Sequence, residues 1–220
     1  LHISDLHLTP GQTRKVEWVR SLAALRPDVL ITTGDNLAHA DAEAAVMRAL
    51  EPFRSTPGAF VFGSNDYFGP KAKNPFGYFG GPSKIRAEHE ELPTESLREA
   101  FLGAGWVDLN NSRGKIKAAG RTIGLVGLDD PHLGRDEMPR PSRAKADLRI
   151  GVVHAPYQRA LNALVDDGAD VILAGHTHGG QVCLPGYGAL VTNCDLPREM
   201  ATGVHTWTHG KTQAELHVCA

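Results

Sequence analysis

Five short apolar runs in this chain each stop at side chains able to bind a metal or a phosphoryl group. "LHIS" runs into Asp5 and His7, and "DVLITTG" into Asp35 and Asn36. "AFVFG" meets Ser64, Asn65 and Asp66, "LRIGVV" meets His154, and "DVILAG" meets His176 and His178. Runs of this length, separated by helical patterns, read as strands of a mainly parallel sheet with crossover helices. The helical patterns are Val16, Val19, Leu22 and Leu25; "AEAAVMRALEPF"; "TESLREAFLGAG", with Thr94 as N-cap and a closing glycine; and "QRALNALVDDG". "KIKAAGRTIGLVGLDD" reads as a hairpin with Gly120 and Arg121 near its turn. Open α/β sheets form their sites beyond the carboxyl ends of the strands, so the five run ends are expected on one edge.

At 220 residues the chain is expected to be one domain, 1–220. A net charge of −2 carries no strong nucleic-acid signal. Cys183, Cys194 and Cys219 form no CxxC pair, which argues against a disulfide framework and a thiolate zinc site. No apolar run approaches the roughly 18 residues that span a bilayer. The chain opens at "LHISDLH" without Met and closes on the strand-like "AELHVCA", so both ends are expected to be truncated. Targeting information is then missing, and a cytoplasmic and a membrane-associated location both stay open. From Tyr67 to about Pro93 periodicity lapses into Gly, Pro, aromatic and charged residues, an insertion or lid loop over 67–93.

Any one of these run-end residues is explained as a turn or cap residue. As a set they are imidazoles, carboxylates and carboxamides with no thiolate, a mixture that suits Mn, Fe, Zn or similar ions. Seven candidate ligands exceed the four or so of one zinc, which favours two ions sharing a carboxylate.

The order D-x-H, GD, an Asn-containing G-x-x-D, a lone His and GHTH resembles the calcineurin-like metallophosphoesterase superfamily. "GHTHGGQ" looks like its bacterial branch of small, often membrane-associated enzymes. The resemblance covers Asp5 to His178 and implies a four-layer α-β-β-α sandwich holding two divalent ions, with Mn favoured over Fe, Zn, Mg or Ni. It implies that Asp5, His7 and His178 hold one ion, that Asp35 bridges, and that Asn65, His154 and His176 hold the other. Where the family has G-N-H-D, this chain has "GSND". Motif register puts Ser64 on the ligand position, whereas ligand chemistry favours the carboxamide of Asn65. The change also removes the family's usual leaving-group acid. Asn65, Asp66 and His154 are the candidates for the catalytic part.

The implied reaction is hydrolysis of a phosphodiester, pyrophosphate or phosphomonoester by a metal-activated hydroxide, needing no serine nucleophile. The alternatives are a metal-binding pseudoenzyme or ligand-binding module, and a nuclease. Phe68, Phe76, Tyr78 and Phe79 in the insertion suit an apolar pocket or a membrane surface, hence a lipid-linked substrate. Asp130 and His132 of "DDPH" are expected in a solvated turn. His39, His89, His205, His209 and His217 are expected as surface or packing residues.

Overall fold

The computed structural model describes residues 1–70, 89–142, 144–180, 182–184 and 188–220, with the backbone alone at 182–184 and 188–189. Phe76, Tyr78 and Phe79 of the expected insertion, and Gln181 of "GHTHGGQ", lie outside the described residues. Strands β1 (His2–Ile3), β2 (Leu30–Thr32), β3 (Gly58–Phe60) and β4 (Val107–Asp108) form a parallel sheet in that order. β5 (Ser112–Ala118), β6 (Arg121–Gly127), β7 (Leu148–Val152), β8 (Val171–Ala174), β11 (Gly203–His209) and β12 (Thr212–Val218) form a mixed sheet ordered β11-β12-β8-β7-β6-β5. β9 (Val182–Leu184) and β10 (Gly188–Val191) make a separate antiparallel pair.

Side-chain alternation along each strand sorts the apolar residues into three cores. Ile31, Ala59 and Val61 of the first sheet face Ile116, Leu125 and Val152 of the second, filling the space between the sheets. Leu30, Phe60 and Phe62 point the other way, onto Val16 and Val19 of α1 (Thr13–Ser21), Val46 and Leu50 of α2 (Glu43–Leu50), and Leu97 and Phe101 of α4 (Thr94–Gly103). Behind the second sheet, Ile172, Leu216 and Val218 pack on Leu161, Leu164 and Val165 of α5 (Gln158–Asp166). The layers are therefore helix, sheet, sheet, helix, as the sequence led us to expect.

Local chemistry corrects some details. The first amphipathic run gives α1 only to Ser21; Leu22–Leu25 tighten into a 3₁₀ turn, and Leu25 is exposed. Thr94 is the first residue of α4 rather than its cap, because its hydroxyl donates to the Asp66 carbonyl (2.7 Å). The β5–β6 turn falls on Ala119 (φ 48°) and Gly120 (φ 73°), both left-handed as a two-residue hairpin requires. The two ends of the expected insertion are tied together, Leu92 N donating to Tyr67 O (2.9 Å) and Gly69 N to Glu90 O (2.8 Å).

Asp66, in α3 (Ser64–Tyr67), locks the ends of β2 and β3 to each other. Its fully buried carboxylate accepts from Asp35 N (2.8 Å), Asn36 N (2.8 Å), Leu37 N (3.3 Å) and Gly63 N (3.0 Å). Burial first, and then the neighbouring Asp35, push its carboxyl up to about 6. The catalytic part expected of Asp66 finds no support in this geometry, since both oxygens are taken by backbone amides; it is a positioning residue. We expect Asp66→Ala to lower unfolding stability by about 3 kcal/mol or more, because buried amides are left unsatisfied. Urea denaturation of the two proteins checks this, and a loss below ~1 kcal/mol would contradict the role.

Candidate metal centre

The strand ends converge as the alternating sequence requires. Backbone pairing continues past β1 and β2, with Asp5 N donating to Gly34 O and His7 N to Asp35 O, each 2.9 Å. In D-x-H and H-x-H the middle residue anchors the segment: Leu6 is buried in the core, and the Thr177 hydroxyl donates to Ala201 O (2.6 Å). The flanking residues, two apart, share the other side. The backbone at the donors is strained. Asp5 (φ 54°), His7 (41°), Asp35 (53°), His176 (72°) and His178 (52°) are all left-handed. Each such residue costs on the order of 1 kcal/mol, and strain of this kind concentrates at functional sites.

Two sets of donors result. In the first, His7 Nε2 lies 3.2 Å from His178 Nε2, and Asp5 Oδ1 is 3.5 Å from His178 Nε2 and 3.8 Å from His7 Nε2. This side is open, with the His178 side chain 40% exposed. In the second, His154 Nε2 is 3.3 Å from His176 Nδ1, and both rings are buried. Asp35 lies between them, its Oδ2 being 3.6 Å from His7 Nε2 and 3.5 Å from His154 Nε2. Its Oδ1 accepts from Asn65 N (2.7 Å), and the Asn65 carboxamide touches Oδ2 (2.6 Å). The turn after Gly63 that Asn65 needs is α3 itself, which begins at Ser64.

Supporting contacts fix which nitrogens face inward. His154 Nδ1 donates to Thr33 O (2.7 Å), so Nε2 is the atom turned toward Asp35. His176 Nε2 faces Asn193 O (3.2 Å), so Nδ1 is its inward atom. Glycines make room: a Cβ on Gly63 would strike Asp35 and His154, and one on Gly175 would strike Ser4 and Asp5.

The electrostatics call for added positive charge. Burial opposes ionising Asp5, yet His7, His154 and His178 draw its carboxyl down to about 2. Asp35 is also buried and is held well below the usual carboxylate range, chiefly by His154. Burial disfavours charging His154, but Asp35, Asp5 and Asp130 hold its proton well above the ordinary histidine range. A proton or a cation has to balance these carboxylates. Asp5 Oδ1, buried and without a hydrogen-bond partner, is the atom such a cation would satisfy. The donors therefore fit divalent metal: Asp5, His7 and His178 form one compact group, and Asp5, Asp35 and His154 another.

Asp130 is not in a solvated turn. It is fully buried, its Oδ1 accepts from His132 N (2.9 Å), and burial, with Asp35 adding, pushes its carboxyl up to about 7. His132 lies against His176 with ring centroids 4.9 Å apart, and its Nδ1 is 3.1 Å from the Tyr157 hydroxyl. His39, His89, His205 and His209 make hydrogen bonds with Asp41 N, Gly69 O, Thr202 O and Asp166. His217, half-buried, bonds to His2 (2.8 Å). Sequence reasoning passed over His2, Ser4, Thr33, Tyr157 and Asn193; none falls in a ligand motif, and their positions follow only from how the strands align.

The chain is 29% identical over 187 residues to the uncharacterized protein YpbG of Bacillus subtilis, covering 82% of this chain and 61% of that protein. It is 24% identical over 220 residues to the UDP-2,3-diacylglucosamine pyrophosphatase LpxG of Chlamydia trachomatis, covering 84% and 64%. The chain thus spans less than two thirds of the length of either relative. The solved phosphopantetheinyl hydrolase (PptH) of Mycobacterium tuberculosis superposes with a TM-score of 0.51 at 14% identity, over 100% of this chain and 88% of that one, a likeness of fold. The calcineurin-like phosphoesterase model matches residues 1–180, and with the strand-end donors arrayed as described, the chain belongs to that family of phosphate-ester hydrolases, whose members normally bind divalent metals.

Proposed function

We propose that this chain is a two-metal phosphoesterase acting on a phosphodiester or pyrophosphate. The observation that carries the reading is Asp35 Oδ2, at nearly equal distance from His7 (3.6 Å) and His154 (3.5 Å) and so positioned to bridge. Asp5, His7 and His178 would hold one ion, and Asn65, His154 and His176 the other. Manganese is our first choice, because the donors mix imidazole with hard oxygen. When bound, such ions supply positive charge to the phosphoryl oxygens and acidify a water to a pKa near 7.

The chain's own residues do the positioning. The carboxamide of Asn65 reaches Asp35 Oδ2, and turning it over places Oδ1 rather than Nδ2 on the same spot, which suits a ligand. Substrate is expected to enter on the exposed His7 and His178 side. Beside α3 lies a cavity of about 400 Å³, lined by Tyr67, Phe68, Leu92, Arg135, Glu91 and Glu95. Arg135 stacks over the Tyr67 ring at 4.1 Å, and the Tyr67 hydroxyl donates to Asp129 (2.8 Å), so this wall is fixed. A cation beside aromatic surface suits a substrate with an apolar group next to its phosphate. The name of the chlamydial relative supports a lipid-linked pyrophosphate as one such substrate. Among the described residues no helix is long and apolar enough to cross a membrane.

Reconstitution with Mn is expected to approach two equivalents per chain by elemental analysis; a folded protein that saturates at one would remove the bridging reading. Release of p-nitrophenol from bis-p-nitrophenyl phosphate with Mn tests turnover. Its absence in metal-loaded protein would favour a binding module, and digestion of single-stranded DNA under the same conditions would favour a nuclease.

Asp35→Asn is expected to lower that activity by about 100-fold or more, and His132→Ala by less, because Asp35 faces both donor sets and His132 only His176. Equal losses would mean that the centre is misplaced. Asn65→Ala is expected to lose the second ion and about 10–100-fold in activity, while Ser64→Ala stays within a few fold. Calorimetric Mn titration of both variants decides this, and loss of the ion from Ser64→Ala alone would assign the ligand to the serine.

A further inference from the structure

A line of hydrogen bonds runs from the C-terminal strand to the candidate ligand Asp5. His217 Nδ1 is 2.8 Å from His2 Nδ1, and His2 Nε2 is 2.9 Å from Thr33 Oγ1. The Thr33 hydroxyl donates to Ser4 Oγ (2.7 Å), and the Ser4 hydroxyl donates to Asp5 Oδ2 (2.5 Å). His217 lies on β12 of the second sheet and His2 on β1 at the edge of the first, so the line crosses from one sheet to the other.

The direction of every bond follows from the carboxylate end. An ionised carboxylate only accepts, so Ser4 must donate to it. Thr33 spends its single proton on Ser4, so its oxygen accepts from His2 Nε2–H. Burial, aided by His217 nearby, holds His2 down to about 3, and the ring is therefore neutral with one proton. With that proton on Nε2, its Nδ1 is a bare lone pair and must accept from His217 Nδ1–H. Both histidine tautomers are thus dictated by Asp5. At the far end, Asp5 Oδ2 receives the Ser4 hydroxyl and His176 N (2.9 Å), while Oδ1 has no hydrogen-bond partner.

We propose that His217, His2, Thr33 and Ser4 are a one-way hydrogen-bond relay that occupies Asp5 Oδ2 and presents Oδ1 as the atom donated to the metal. The proposal rests on the two-metal reading for its effect on affinity, but not for its tautomers. Outer partners of this kind orient a ligand and are worth about 10–100-fold in metal affinity when removed. Through them the last strand of the chain, remote from every ligand motif, takes part in setting that affinity.

Thr33→Val keeps the shape of the side chain and deletes the hydroxyl, whereas Thr33→Ser keeps the hydroxyl. In calorimetric titration of the full-length protein with Mn, Thr33→Val is expected to bind about 10-fold more weakly or worse, and Thr33→Ser within about threefold of the parent. In metal-free parent protein, ¹⁵N NMR of the histidine rings is expected to show His2 protonated on Nε2 and His217 on Nδ1. Should Thr33→Val fail to fold by circular dichroism, His217→Ala on the partly exposed end of the line replaces it, with an expected loss of about threefold in affinity. Mn affinity equal to the parent in the folded variant used, or a His2 ring protonated on Nδ1, would overturn the relay. Failure of the parent to bind Mn at all, with the predicted tautomers present, would overturn the metal reading and the relay's effect on affinity together while leaving the bond directions established.

Discussion

Two carboxylates, Asp5 and Asp35, are buried side by side at the ends of neighbouring strands, and the rest of this structure is arranged around their charge. An ionised carboxylate taken out of water is costly unless it is paired or bound to a cation. Here the compensation comes from every side: His7 from the same strand end as Asp5, His154 and His178 from two others, backbone amides from Asn65 and His176, and the Ser4 hydroxyl. Asp5 Oδ1 faces His7 and His178 at 3.8 and 3.5 Å yet has no hydrogen bond. Replacing both carboxylates with apolar groups would have been a simpler way to stabilise a fold. The arrangement is explained by a cation that completes it.

The same demand explains the backbone. Residues two apart in a strand share a face, so Asp5 and His7, like His176 and His178, leave the sheet on the same side, with the buried Leu6 and Thr177 between them as anchors. At each of these donors the backbone has turned left-handed, where the strand has already ended. Asp66 then fixes the ends of β2 and β3 in one unit by taking their amides. Sheet packing, strand-end strain and buried charge are one problem solved together.

The strands and helices were legible in the sequence because apolar periodicity is a short-range rule, whereas the four-layer arrangement came from the family resemblance. The roles of Asp66, Asp130 and His217 were not legible. Aspartate after a strand is normally a turn or cap residue, and whether its oxygens meet water, a metal or a set of amides depends on the neighbouring loops. For Asp66 those amides belong to residues some 30 positions earlier, at Asp35 and Asn36. His2 and His217 lie 215 positions apart and meet only because β1 and β12 come together where the two sheets pack. Pairings of that kind are set by the register of whole sheets, which no local pattern encodes.

The exchange of G-N-H-D for "GSND" has a consequence for the chemistry as well as for the ligands. With Asn65 turned onto Asp35, no imidazole of that motif faces the phosphoryl group. Beside the second donor set, His132 packs on His176 and meets the Tyr157 hydroxyl, and its backbone donates to the buried Asp130. Those residues come from the segment after β6 and from the start of α5. A substrate whose leaving group is already a good one, such as a phosphoanhydride, asks for no protonation from the lost position. The motif change and the pyrophosphate reading are thus consistent on chemical grounds, independently of any likeness to other proteins.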